Sequence, residues 1–217
     1  MNNTIRTVPA ILTDDLIALG KMVLQTESFT DFAQFDIMDG QFVPSTSVTC
    51  QQIASLGTKL AWEAHLMVMH PEKYLEEFKK AGAQKIVFHY EATPAPESVI
   101  DRIKKLEMQV GLAVNPETPV STIAPLVKTL DSVLFLSVTP GYYGATFIPA
   151  VLDKITTFRK AHPVVEAGID GGIKENNIAE IAATGVNVIY IGSAIYLQPN
   201  PADSYHRLTR LAEAYAP

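Results

Sequence analysis

Asp36, His65, His89 and Asp170 stand at or near the ends of short, mostly apolar runs of the sequence. An ionised carboxylate among apolar residues is costly unless it is paired, bound to a metal or used in chemistry. Any one of these groups alone reads as a satisfied structural residue, but several at the ends of different runs read together as a site. Gln34 precedes Asp36 by two residues. Side chains two apart on a strand point the same way, so this pair shares one face. Three glycine-containing turns add a second capacity: Gly141 to Gly144, Gly171 with Gly172, and Gly192 with Ser193. Glycine can simply permit a turn, but backbone N–H groups in such turns also bind an anion, phosphate above all, without needing Lys or Arg.

These residues can converge only if the elements carrying them form a closed frame. Strand-type runs are expected at 7–12, 32–36, 61–68, 85–89, 109–114, 132–138, 164–169 and 188–191, several of them continuously apolar as buried parallel strands are. Between them lie one-sided helical patterns such as Tyr74, Phe78, Ala81 and Ile100, Ile103, Leu106. About eight strand–helix units in 217 residues predict one (β/α)₈ barrel over 1–217. A doubly wound open sheet is the other arrangement considered, and the absence of a Gly-rich loop after the first strand weighs against it. In a barrel the chemistry gathers at the carboxyl ends of the strands, and the loops after the last two strands form the usual phosphate site.

The bulk composition narrows the partners. A net charge of -6 without blocks of like charge gives no nucleic-acid footprint and no polybasic membrane patch, so a small molecule is expected. No apolar stretch is long enough to span a bilayer, and the polar Met1 to Arg6 leads into its apolar run without a signal-peptide core. Cys50 is the only cysteine, expected as a small buried hydrophobe in a reducing compartment; a cytoplasmic protein follows. Trp62 is expected in the core, Asp39 as a turn cap before Gly40, and His70, His162 and His206 toward solvent. No lysine stands where a Schiff base would be expected, which argues against an aldolase or decarboxylase.

The run Asp-Ile-Met-Asp-Gly-Gln-Phe-Val-Pro at 36–44 resembles a signature of the ribulose-phosphate 3-epimerase family, and His-Leu-Met-Val at 65–68 resembles another. Further matches follow in that family's order: Glu-Ala-Thr after His89, Asn-Pro-Glu-Thr-Pro at 115–119, Pro140 with Gly141, Phe-Ile-Pro at 147–149, Asp-Gly-Gly-Ile at 170–173, and Gly-Ser-Ala-Ile at 192–195. The resemblance implies a (β/α)₈ enzyme that inverts C3 of a phosphorylated ketose, commonly D-ribulose 5-phosphate to D-xylulose 5-phosphate, and by family habit a homo-oligomer. It implies Asp36 and Asp170 as acid and base on opposite faces of the substrate. It also implies a divalent metal (Zn2+, Fe2+ or Mn2+) on Asp36, His65 and Asp170, with Gln34 at the fourth position. Phosphate falls to Gly141, Gly144, Gly171, Gly172, Gly192 and Ser193. Met38, Met67, His89, Tyr142 and Tyr143 are the remaining candidates for the substrate pocket, although methionine there can be plain packing and His89 a structural histidine.

Departures from the family cluster at the same place. Gln34 replaces a histidine, a neutral and weaker donor for zinc-like metals. Ala10 replaces a serine, Leu136 a methionine, and the loop 139–145 carries Tyr143 and Ala145 where the family has Gly and Gln. Two alternatives to simple ribulose-phosphate epimerisation follow: a pocket retuned for another ketose phosphate, or a phosphosugar-binding barrel without turnover.

Overall fold

The computed structural model describes residues 5–141 and 144–217. Eight strands form a closed parallel barrel in sequence order: β1 (Arg6–Ile11), β2 (Phe32–Met38), β3 (Ala61–Met67), β4 (Lys85–His89), β5 (Gln109–Val114), β6 (Ser132–Leu136), β7 (Glu166–Asp170) and β8 (Val188–Ile191), with β8 pairing back to β1. The helices are α1 (Leu16–Glu27), α2 (Cys50–Ser55), α3 (Leu75–Ala81), α4 (Pro96–Lys105), α5 (Val120–Ile123), α6 (Val151–Ala161), α7 (Ile178–Ala183), α8 (Ser193–Tyr196) and α9 (Pro201–Tyr215). The expected (β/α)₈ barrel is therefore present. No described helix is long and apolar enough to cross a membrane.

The amphipathic pattern explains how each helix lies on the barrel. In α4, Val99, Ile100 and Ile103 are buried, Pro96 opens the first turn, and Arg102, Lys104 and Lys105 end the helix, where cations suit its negative pole. Between helices and sheet a continuous apolar layer includes Phe35, Phe78, Trp62 and Cys50. Trp62 packs edge-on against Phe35 and Phe78, as core residues do. Burial lifts the Cys50 thiol to about 12, so it is no nucleophile.

One strand lies later than expected. The seventh begins at Glu166, whose N–H bonds to the Asp131 carbonyl, and not at Val164, which follows Pro163 and is 84% exposed. Asp170 consequently sits inside the ladder, opposite Leu136 and Tyr190.

Inside the barrel, Val8, Ala10, Val87, Ala113, Leu134, Leu136, Val188 and Tyr190 form a separate apolar plug. Below it lies a buried charged floor. Lys85 Nζ is 3.1 Å from Glu63 Oε2 and 3.3 Å from Glu166 Oε1, and Arg6 reaches the same Glu166 at 2.6 Å. Gly111 makes room for it: a Cβ there would stand 3.2 Å from Lys85 Cε and 2.8 Å from Ser132 Oγ. Burial opposes the Lys85 charge, yet Glu63 and Glu166 outweigh burial and hold its pKa above the ordinary value. Lys85→Met is expected to lower stability by about 3–5 kcal/mol in urea unfolding, because it strands a buried carboxylate. Glu63→Gln added to Lys85→Met should recover part of that loss. Burial would raise the Glu166 carboxyl, but Lys85 and then Arg6 bring it below 4.5. Its contribution is thus present above that pH and lost as pH falls through the folded-state value, so the wild-type advantage over Glu166→Gln should shrink in acid.

Candidate active site

The β2–β3 ladder sets the site, pairing Asp36 with His65 and Met38 with Met67 at the carboxyl ends of the strands. Ser47 fastens the end of β2, accepting from the Met38 N–H at 2.9 Å and donating to the Asp36 carbonyl at 2.8 Å. Asp39 does more than cap its own turn. Oδ1 accepts from the N–H groups of Gln41 and Phe42, and Oδ2 accepts from Met69 N–H at 2.8 Å, tying the loop after β2 to that after β3.

Two carboxylates from non-adjacent strands meet at one amide. Gln34 Nε2 donates to Asp36 Oδ1 at 2.9 Å and to Asp170 Oδ2 at 2.8 Å. His65 Nδ1 stands 2.9 Å from Asp36 Oδ1 and 3.7 Å from Asp170 Oδ2. Gln34 and His65 are fully buried, and Asp36 nearly so. Burial, reinforced by the Asp36 charge, pushes the Asp170 carboxyl up to about 7. For His65, burial pulls the pKa down, but the hydrogen bond and charge of Asp36, and then the charge of Asp170, leave it above the ordinary value. The arrangement favours one shared proton among acid groups that would otherwise repel.

These groups face a cleft that opens to solvent. Asp36, His65, Asp170, Met38 and Met67 line it, and so do Gly141, Gly144, Gly171, Gly172, Gly192 and Ser193. The sequence therefore brings its acids and its glycine turns to one place. Gly172 has φ 65°, and a Cβ there would lie 2.9 Å from the Phe147 backbone, so only glycine fits. Ser137, which the sequence did not single out, holds this side together: its hydroxyl reaches the carbonyls of Asp170 and Gly171 at 2.9 and 2.7 Å. A polar residue just past a strand end was the available signal.

His89 is not in the cleft lining. It lies behind His65, with the two Nε2 atoms 2.9 Å apart and the ring planes within 23° of each other, and Phe42 covers its other side. Burial draws the His89 pKa down to about 4, so the ring is neutral. Its Nδ1 faces Glu91 Oε2 at 3.5 Å. Although burial raises the Glu91 carboxyl, bonds from His89, Thr118 and the Asn115 N–H outweigh it and bring the pKa to about 2. Tyr142 and Tyr143 lie outside the described residues.

Asp36, His65 and Asp170 each offer a ligand atom, and these atoms lie within 4.8 Å of one another. Two carboxylate oxygens and one imidazole nitrogen fit a divalent cation. Gln34 presents its nitrogen to the carboxylates, while its Oε1 is buried without a partner. A carbonyl oxygen left over beside two carboxylates is the end a cation would attract, so the fourth position also fits, through amide rotation.

Residues 6–196 match the family described as ribulose-phosphate 3 epimerase. Ribulose-phosphate 3-epimerase of Schizosaccharomyces pombe is 34% identical over 204 residues, covering 91% of this chain and 90% of that protein. Its counterpart in Synechocystis sp. is 35% identical over 215 residues, covering 94% and 93%. Among solved structures, KGPDC from Streptococcus mutans superposes with a TM-score of 0.78 over 98% of this chain and 99% of that one; at 11% identity the likeness is one of fold. With a family match spanning 6–196 and relatives aligned over about nine-tenths of each chain, this protein belongs to the ribulose-phosphate 3-epimerase family.

Proposed function

We propose that this chain inverts C3 of a phosphorylated ketose, interconverting D-ribulose 5-phosphate and D-xylulose 5-phosphate, with Asp36 and Asp170 as the proton-transfer pair. The observation that carries the reading is the convergence of both carboxylates on Gln34 Nε2, at 2.9 and 2.8 Å, over the cleft that the glycine turns also line.

Inversion α to a ketone needs a base on one face and an acid on the other. Two carboxyl groups in different protonation states meet that need, and burial beside Asp36 keeps Asp170 protonated up to about pH 7. In one direction Asp36 takes the C3 proton and Asp170 delivers its own to the opposite face; in the other direction the roles exchange. Gln34 donates one N–H to each carboxylate and so fixes both without supplying a proton to the reaction. Backbone N–H groups of the turns at Gly141, Gly144, Gly171, Gly172, Gly192 and Ser193 hold the phosphate and thereby set where C3 stands. Met38, Met67 and Val43 form an apolar wall beside the carboxylates, which keeps water from the carbanion. A divalent cation (Zn2+, Fe2+ or Mn2+) on Asp36, His65 and Asp170 would supply positive charge opposite the oxygens of the enediolate.

Ala10 and Ala145 line the same cleft where the family carries polar side chains, which favours, as a second reading, another ketose phosphate with the same chemistry.

Deuterium from solvent should appear at C3 of D-ribulose 5-phosphate by NMR. Asp36→Asn and Asp170→Asn should each slow that exchange by about 10²–10⁴-fold. Absence of exchange with added zinc, manganese or iron(II) would remove this substrate and direct the same assay to other ketose phosphates. Gln34→His should tighten Zn2+ binding by on the order of tenfold or more in chelator competition, because imidazole replaces a neutral amide donor.

A further inference from the structure

His89 and Glu91 touch neither the cleft nor the carboxylates, yet they form a buried line that ends on His65. Glu91 Oε1 accepts from the Asn115 N–H at 2.9 Å and from the Thr118 hydroxyl. The loop supplying those donors is pinned by Lys154, whose Nζ donates to the carbonyls of Asn115, Pro116 and Thr118 at 3.1, 3.0 and 2.7 Å. Glu91 Oε2 and His89 Nδ1 face each other at 3.5 Å, and neither has a closer partner. His89 and His65 are both wholly buried, with 2.9 Å between their Nε2 atoms.

We propose that Glu91 and His89 are positioning residues that hold the proton of His65 on Nε2, leaving Nδ1 as a bare donor for a divalent cation between Asp36 and Asp170. The inference rests on the metal site of the reading above. Its logic is the direction of the hydrogen-bond chain. An ionised carboxylate only accepts, so the His89 atom facing Glu91 is an N–H. With its proton on Nδ1, His89 turns a lone pair on Nε2 toward His65, and the atom facing it across 2.9 Å is the Nε2–H of His65. Reversing the chain would turn a His89 lone pair onto Glu91 Oε2, leaving two buried acceptors face to face. At the other end His65 Nδ1 stands 2.9 Å from Asp36 Oδ1 and 3.7 Å from Asp170 Oδ2, so without a cation it shares a second proton with Asp36, and a cation bound between the carboxylates would take the place of that proton. Outer partners that fix the tautomer of a ligating histidine typically change metal affinity by about 10–100-fold.

The test uses the full chain labelled with 15N-histidine. Long-range 1H–15N spectra of the wild type are expected to show His89 protonated on Nδ1 and bare on Nε2. Glu91→Gln keeps the shape but can donate as well as accept, so it should weaken Zn2+ binding by about 10–100-fold in chelator competition. A wild-type spectrum with the His89 proton on Nε2 would overturn the proposal, as would Zn2+ affinity of Glu91→Gln within about twofold of wild type. If Glu91→Gln does not fold, the wild-type spectrum decides alone. Failure of deuterium exchange alongside the expected spectrum and Zn2+ affinities would remove the epimerase reading and leave this one standing; the reverse pattern would remove only the relay.

Discussion

A strand in a closed barrel can send a side chain inward only at every second residue, and a parallel register decides which inward residues share a level. In this chain that constraint sorts the polar groups into two levels. Glu63 and Lys85 are ladder partners near the start of their strands, whereas Asp36 and His65 are partners near the end. Between the levels runs the plug of Val8, Val87, Leu134 and their neighbours. The same alternation that buries the plug therefore separates the charge cluster of the floor from the groups of the candidate site, and a one-residue slip of β3 would exchange the faces of both Glu63 and His65.

The two clusters resolve the cost of burial differently. At the floor the charges are of both signs: Lys85 lies between Glu63 and Glu166, and Arg6 closes the set. At the mouth Asp36 and Asp170 are like charges with one imidazole and one neutral amide between them. Compensation there is incomplete, which is why the Asp170 carboxyl rises to about 7. Stability asks for the first arrangement, and the proposed proton transfer would use the second.

Strands and helices were legible from the alternation of apolar runs, because buried parallel strands differ so plainly from one-sided helices. The seventh strand was misplaced because Val164 and Val165 look like strand residues, although Pro163 puts them in the turn and the ladder starts at Glu166. Asp36, His65 and Asp170 could be found as polar residues at strand ends, and the glycine turns by their composition. What the sequence could not carry was the partner of each group. Nothing in the spacing says that Lys85 meets Glu63, that Gln34 bridges both acids, or that His89 stands behind His65 and not in the cleft, since each depends on the register between neighbouring strands or on closure across the barrel. Glu91, just past a strand end, belonged to a matched motif but had no visible function until its loop was placed around it.

The sealed floor makes this barrel a cup and not a pipe. With Lys85 and Glu63 buried beneath the plug, the carboxylates face solvent through the cleft at the mouth, which is where a sugar phosphate would sit. Under the epimerase reading, a bound substrate is then its own stopper: the proton lifted from one face and the proton waiting at the other are isolated from bulk water until product leaves. The hydrogen delivered in each turnover would thus be set before substrate arrives, by whichever one the protonated carboxyl collected while the cup stood open.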